Sequence, residues 1–182
     1  MKGEGWYSPR PMADDEVLRE YRTGSDPRTL RDALGCFATG VTVVTCFDQD
    51  EQPFGITANS FTSVSLDPPL LLVCIHKHAA CAAVLAEAKH FAINVLQTAQ
   101  QPASIRFSTR AEDRFGVNDW SRGEFGTPVL QESLGAFECE RFAIYDGGDH
   151  DILVGQVVKA SFNTELDPLL YFRGRYRRLH FD

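Results

Sequence analysis

The sequence predicts a mainly β fold, a β-barrel with peripheral α-helices, on three observations. At least six segments are dense in β-branched and aromatic residues. Successive segments lie near enough for antiparallel hairpins, with turn-forming runs such as DQDEQP and DGGDHD between them. The segments that read as helices are few and short, which leaves them at the periphery of a closed sheet.

Taken in order, residues 1–25 are polar and broken by Pro9, Pro11 and Gly24, and read as a flexible N-terminal arm before a single domain over 26–182. Asp26-Pro27 is a helix start, a cap followed by proline at the first helical position. Leu30, Leu34 and Phe37 recur at helical spacing, and Thr39-Gly40 is the expected stop. VTVVTCF is a strand, DQDEQP turns the chain, and FGITANSF returns as its hairpin partner. After Asp67-Pro68-Pro69, LLLVCI reads as a fully buried strand. Ala79 to Ala88 has high helix propensity and HFAINVL is again a strand. TAQQPASIRFS is a short helix with Thr98 as its cap, and residues 108–128 are an irregular excursion. GAFECERFAIY alternates Phe137 and Cys139 with Glu138 and Glu140, as a half-exposed strand should. DGGDHD is a hairpin turn, ILVGQVVKASF the returning strand, and PLLYFRGRYRRL a last one.

The composition of the 182 residues, 43% hydrophobic and 24% charged, is that of a globular chain long enough to bury a core. A net charge of −7 argues against a nucleic-acid or membrane-surface partner. The cluster Arg173, Arg175, Arg177 and Arg178 reads as a solvated strand edge. No apolar run approaches the roughly 20 residues of a membrane helix, and MKGEGWYSPRPMADDE lacks the apolar centre of a signal peptide. Five scattered cysteines suit reduced thiols and a cytoplasmic protein. Cys74-x-His76-x-His78-x-x-Cys81 matches none of the usual zinc spacings, so no metal is expected; Cys74 reads as core, with His76 and His78 at a strand mouth.

The motifs of common enzyme classes are missing. There is no G-x-G-x-x-G opening a helix after a strand, no P-loop, no G-x-S-x-G and no H-E-x-x-H. Chemistry would therefore come from a bound cofactor that the protein positions. In TANSFTSVS, hydroxyls, an amide and accessible backbone can bond a polar edge, with Phe61 and Val64 filling the core behind. In CIHKHAAC a buried strand ends and a helix begins near Ala79, where free N–H groups favour an anion and Lys77 or His78 adds charge. GGDHDILVGQVV offers His150 either as a solvated turn residue or as a residue at a pocket mouth, oriented by Asp149.

FATGVTVVT, GITANSFTSVSLDPPLLLVCI, HFAINVL, the pair RF and DRF, GDHDILVGQV and DPLLYFRGRY occur in this order and spacing. Together, from about Leu30 to Tyr176, they closely resemble the short-chain flavin reductase family, the reductase components of two-component flavin-dependent monooxygenases. The resemblance implies an FMN-binding split barrel, usually a homodimer. It implies an enzyme that uses NADH or NADPH to reduce FAD or FMN and releases reduced flavin to a separate oxygenase or halogenase. Matched position by position, flavin contacts fall on Thr57, Ala58, Asn59, Ser60, Phe61, Ser63, Val64, Cys74, His78, Ala79, Ala80 and Phe107. Nicotinamide contacts fall on Gly148, Asp149, His150 and Tyr176, with His150 the one candidate for a catalytic residue. Family members often carry lysine, serine or threonine where this chain has Ala79 and Ala80, which leaves the phosphate to backbone N–H groups, Lys77 or His78. The implied reaction is hydride transfer between stacked rings about 3–3.5 Å apart, with donors from Thr57 to Ser60 stabilising the charge that develops. FAD and NADH are the favoured pair. The alternatives are a flavin carrier without activity and a split-barrel oxidase that keeps its flavin.

Overall fold

The β-branched run after the first helix builds the centre of the molecule. The computed structural model describes residues 18–109 and 113–180, and of the expected N-terminal arm residues 1–17 lie outside that range. Strand β1 (Thr39–Gly40) leads into β2 (Thr42–Phe47), which pairs antiparallel with β3 (Pro53–Ala58) in the predicted hairpin. Strands β4 (Thr62–Leu66), β5 (Pro69–His76) and β6 (His90–Val95) follow, and the pair β7 (Trp120–Arg122) and β8 (Pro128–Leu130) stands apart as its own small sheet. Two strands of thirteen residues, β9 (Gly135–Gly147) and β10 (His150–Phe162), form the long hairpin around Gly148-Asp149. The principal sheet runs β3-β2-β6-β9-β10-β5-β4, all antiparallel.

Alternation along β2 separates two cores. Val44 and Cys46 point into the barrel with Val73, Phe91, Ile93, Cys139 and Leu153. Val41, just before the strand, and Val43 point the other way, to Leu96, Phe107, Leu130 and Leu169 beneath the outer elements. β2 is therefore buried on both faces. Gly155 lets the barrel fill, because a Cβ there would lie 2.5 Å from Phe91 Cζ and 2.8 Å from Cys139 Cβ.

Where β3 gives way to β4, a side chain makes the seam against β5. Residues 59–61 carry the chain from β3 to β4, and there the Ser60 hydroxyl accepts from Cys74 N (3.0 Å) and donates to Cys74 O (2.9 Å). One hydroxyl thus makes both bonds of a missing ladder pair, one step beyond the last register pair Thr62↔Leu72. The fold is the expected mainly β split barrel with few helices.

Several local expectations are corrected. Helix α1 is Pro27–Leu34, capped by Asp26 as predicted, but it ends at Gly35, and Thr39-Gly40 is strand β1, paired with Leu170 and Tyr171. Leu34 and Phe37 are exposed. Helix α2 is only Ala82–Glu87, because residues 77–81 are needed to turn the chain out of β5. Gln97, not Thr98, caps the next element: its side chain accepts from Ala99 N, and a 3₁₀ turn (Thr98–Gln100) precedes helix α3 (Gln101–Ser108). β5 is not fully buried; Leu71, Val73 and Ile75 face the core while Leu70, Leu72 and Cys74 are only partly covered. Glu138 is buried rather than exposed, because its carboxylate accepts from Glu124 N, Phe125 N and Thr127 Oγ1 of the β7–β8 hairpin. That hairpin begins inside the stretch 108–128 expected to be irregular and ends just beyond it, at Leu130. The last strand is two, β11 (Leu170–Phe172) and β12 (Arg175–Arg177), joined by Arg173-Gly174 with φ of 48° and 73°.

Candidate functional site

The end of β3 borders two concavities that share Ile56. The larger, of about 810 Å³, lies between β3, the turn after β5 and the end of α3. Gly55 lets its aromatic wall approach the strand: a Cβ there would sit 2.8 Å from Phe107 Cε1 and 3.2 Å from Phe115 Cζ. Phe107 is fully buried and meets Phe115 edge to face at 5.0 Å, and Phe115 meets Trp120 at 5.5 Å, so the wall is a rigid aromatic stack. His78, Ala79 and Ala80 line this concavity together with Phe107. The smaller, of about 190 Å³, is lined by Thr57, Ala58, Asn59, Ser60, Cys74, His76 and His150.

The polar groups at the end of β3 are largely held by the protein itself. Thr57 Oγ1 donates to Ser104 O (2.6 Å), Ser104 Oγ bonds Tyr176 Oη (2.9 Å), and Thr42 Oγ1 donates to Ala58 O (2.7 Å). With Ser60 fixed on Cys74, this rim is pinned in place, and the Asn59 side chain is exposed at it. Burial pushes the Cys74 thiol above its ordinary range, so it stays protonated.

The opposite rim is the β9–β10 hairpin tip. His150 is the first residue of β10, directly across from His76 at the end of β5. Its Nδ1 lies 2.7 Å from Asp149 Oδ1. A carboxylate only accepts, so Nδ1 carries the proton and Nε2 is left for other partners. That bond holds the Asp149 carboxyl below the usual range. Lys77 is held above its usual range, first by its bond to Asp146, whose carboxyl is lowered in turn. Lys77 N donates to Asp149 O (3.0 Å), tying the two hairpins together.

The sequence-predicted residues thus divide. Thr57, Ala58, Asn59, Ser60, Cys74 and His150 meet at one concavity, and His78, Ala79, Ala80 and Phe107 at its neighbour. Ser63 and Val64 line neither: both are exposed on β4, and Val64 is half exposed rather than in the core. Phe61 does pack inward, on Phe137 at 5.8 Å. Gly148 forms the turn at φ +80°, and Tyr176 lies on β12, joined to Thr57 only through Ser104. Of the backbone N–H groups expected near Ala79, that of Ala79 itself donates to His76 O (2.8 Å), and the helix begins three residues later, at Ala82. The Cys/His cluster does not converge: Cys81 is in the barrel core while His76 and His78 are exposed.

Two residues at the site had no assigned role in the sequence. Arg114, inside the DRF motif, lines the larger concavity, where its Nη1 donates to Gly55 O (2.8 Å) and its buried Nε has no bonding partner among the described residues. His76 lines the smaller one. The arginine supplies positive charge on the side where Ala79 and Ala80 supply none. Chemically, the pair of concavities fits a flat heterocycle with a polar edge and an anionic tail; the larger alone falls in the range of about 300–1,000 Å³ typical of cofactor sites, and the smaller adjoins it at Ile56.

Comparison with known proteins agrees with that reading. The family described as Flavin reductase like domain matches residues 34–180. The FMN reductase (NADH) SmoA of Agrobacterium fabrum is 46% identical over 155 residues, covering 85% of this chain and 87% of that protein. The NADH:FAD oxidoreductase SgcE6 of Streptomyces globisporus C-1027, solved in complex with NAD and FAD fragments, superposes with a TM-score of 0.82 at 40% identity, covering 86% of this chain and 94% of that one. BorF, the flavin reductase component of a bacterial two-component tryptophan halogenase, gives 0.79 at 41% identity, covering 86% and 100%. Two curated relatives from Rhizobium meliloti are longer, and the match spans 65% and 48% of their lengths.

Proposed function

The chain belongs to the flavin reductase like family, and on that premise we propose that it is an NAD(P)H:flavin oxidoreductase that reduces FAD, or FMN, and passes the reduced flavin to a separate oxygenase or halogenase. The observation that supports this reading is the meeting of two residue sets at one concavity. Thr57 to Ser60 and Cys74, assigned to the flavin, face the same 190 Å³ as His150, assigned to the nicotinamide. A hydride donor and acceptor have to stack, so their contacts have to share a wall. When bound, the flavin supplies the ring that accepts the hydride; every contribution of this chain is positional and electrostatic.

In this reading the Gly55–Phe107–Phe115 wall presents a flat apolar face, and the backbone of Thr57 to Ser60 meets the polar edge. His78 and Arg114 lie where an anionic tail would leave the ring. His150 holds the nicotinamide by Nε2, its other nitrogen being engaged by Asp149. We place the protein in the cytoplasm, where NADH is available and the five free thiols stay reduced. No helix among the described residues is long and apolar enough to cross a membrane.

The protein is a homodimer in this proposal. Its motivation is the family and the large apolar side chains left exposed on the sheet, among them Leu66 on β4, Phe142 and Tyr145 on β9 and Phe162 on β10. A second copy covers them, and sedimentation equilibrium checks it: a monomer at micromolar concentration would contradict the assignment.

Steady-state oxidation of NADH and NADPH with added FAD or FMN tests the activity. The reductase reading expects NADH loss that rises with added flavin and saturates. No turnover with any flavin would leave a carrier, and turnover only after an extra organic substrate is added would leave an oxidase.

A further inference from the structure

His76 stands at the centre of a small relay that no role assigned above absorbs. It is the last residue of β5 and pairs across the sheet with His150, the first of β10. Their ring centroids are 5.0 Å apart with planes at 78°, an edge-to-face contact, and both rings line the smaller concavity. On its other side His76 Nδ1 accepts the backbone N–H of His78 at 3.1 Å. An accepting nitrogen carries no proton, so the proton of His76 is on Nε2 and its ring plane is referred to the backbone.

The Asp149 carboxylate alone cannot fix the His150 ring. A single hydrogen bond at Nδ1 lets the ring follow the Asp149 side chain, which is itself 78% exposed on a two-residue turn. A second contact, on the ring face or edge, removes that freedom. His76 supplies it from a strand that is anchored two residues earlier, where Ser60 clasps both backbone groups of Cys74. Orientation therefore passes from the closed seam of the barrel, through the His78 backbone and the His76 ring, to His150.

We propose that His76 is a positioning residue of the nicotinamide site, setting the plane of His150 by edge-to-face contact; the proposal rests on the reading of His150 given above. The contact is of a kind that changes binding by about threefold to tenfold.

The test is a double-mutant cycle on the flavin-loaded protein, with the dissociation constant of NAD+ measured by calorimetry and that of the flavin measured on the flavin-free protein. His76→Ala is expected to weaken NAD+ by about threefold to tenfold and to leave flavin affinity unchanged. In a His150→Ala background the same substitution is expected to have no further effect, because His76 acts through His150. His76→Phe keeps a ring edge but loses the Nδ1 bond to the His78 backbone, and is expected to restore only part of the affinity. Long-range ¹H–¹⁵N spectra of the wild-type histidine rings are expected to show His76 protonated at Nε2.

A cost of His76→Ala that persists in the His150→Ala background overturns the proposal in favour of direct contact. Parallel loss of flavin affinity overturns it in favour of a local fold role. A His76 ring protonated at Nδ1 overturns the relay. If His150→Ala leaves NAD+ binding unchanged, the nicotinamide assignment itself falls and this proposal with it. If His150→Ala weakens NAD+ while His76→Ala does not, only the positioning role falls.

Discussion

On the β3–β5 side of the smaller concavity, Thr57, Ser60 and Ser104 bond other parts of the chain, and the backbone they hold is part of the barrel seam. On the β9–β10 side, the solvent-exposed carboxylates Asp146 and Asp149, at and beside the hairpin turn, bond Lys77 from the end of β5 and His150 from the start of β10. The first rim is positioned by the fold; the second is positioned by charge-assisted contacts between exposed groups. A ligand edge meets a prebuilt surface on one side and an adaptable one on the other. That suits a protein that holds one ring while a second arrives and leaves. The difference also separates what substitutions should do: damage at the seam should lower stability and flavin affinity together, whereas damage at the tip should touch the nicotinamide alone.

The largest effect is expected at Gly55. Gly55→Val drives a branched side chain into Phe107 and Phe115, whose nearest atoms would lie 2.8 Å and 3.2 Å from a Cβ alone. Destabilisation near about 3 kcal/mol is expected, with loss of measurable flavin binding. Thermal unfolding and flavin fluorescence check it, and a variant that binds flavin normally would break the comparison. Ser60→Ala comes next. It leaves Cys74 N and O without their seam partner, at a cost of about 1–3 kcal/mol. Flavin affinity should fall with it, and the NADH KM at saturating flavin should not.

At the tip the pattern reverses. His150→Ala should raise the KM for NADH roughly tenfold and leave the melting temperature and flavin affinity unchanged. Equal losses of both ligands would sink the division between the rims. The pH dependence follows from Asp149. Its folded carboxyl titrates below the usual range, so the bond to His150 is present at neutral pH and is lost only as pH falls through that lowered value. Titration of Asp149 should accordingly leave the NADH KM unmoved between about pH 5 and 8, above the ordinary aspartate value near 3.9. A wild-type KM step in that window that disappears in Asp149→Asn would contradict it. The smallest effect belongs to Lys77→Ala. Its pair with Asp146 is solvent-exposed, so stability should not change measurably, and the KM shift should be under about twofold.

What could be read from the sequence followed from local chemistry. The β2–β3 hairpin, the Asp26-Pro27 helix start and the Gly148 turn are each written in a few adjacent residues. Glu138 shows the limit: its alternation predicts exposure, and only the hairpin over residues 120–130 makes it a buried carboxylate with three donors. The alanine-rich stretch after His78 has helix propensity that the turn out of β5 overrides for its first residues. Arg173-Gly174 is a turn signal inside a run that otherwise reads as one strand. At the site, Thr57 to Ser60 and His150 were legible through the ordered motifs. His76 was legible as a strand-mouth residue, but its pairing with His150 was not, because that register is set across the sheet.

The most direct test of the account is anaerobic mixing of flavin-loaded protein with NADH, followed by ultrafiltration. The account predicts that the flavin absorbance bleaches and that the reduced flavin passes the filter while the protein is retained. Flavin that stays oxidised, or that is reduced but remains with the protein, would contradict it.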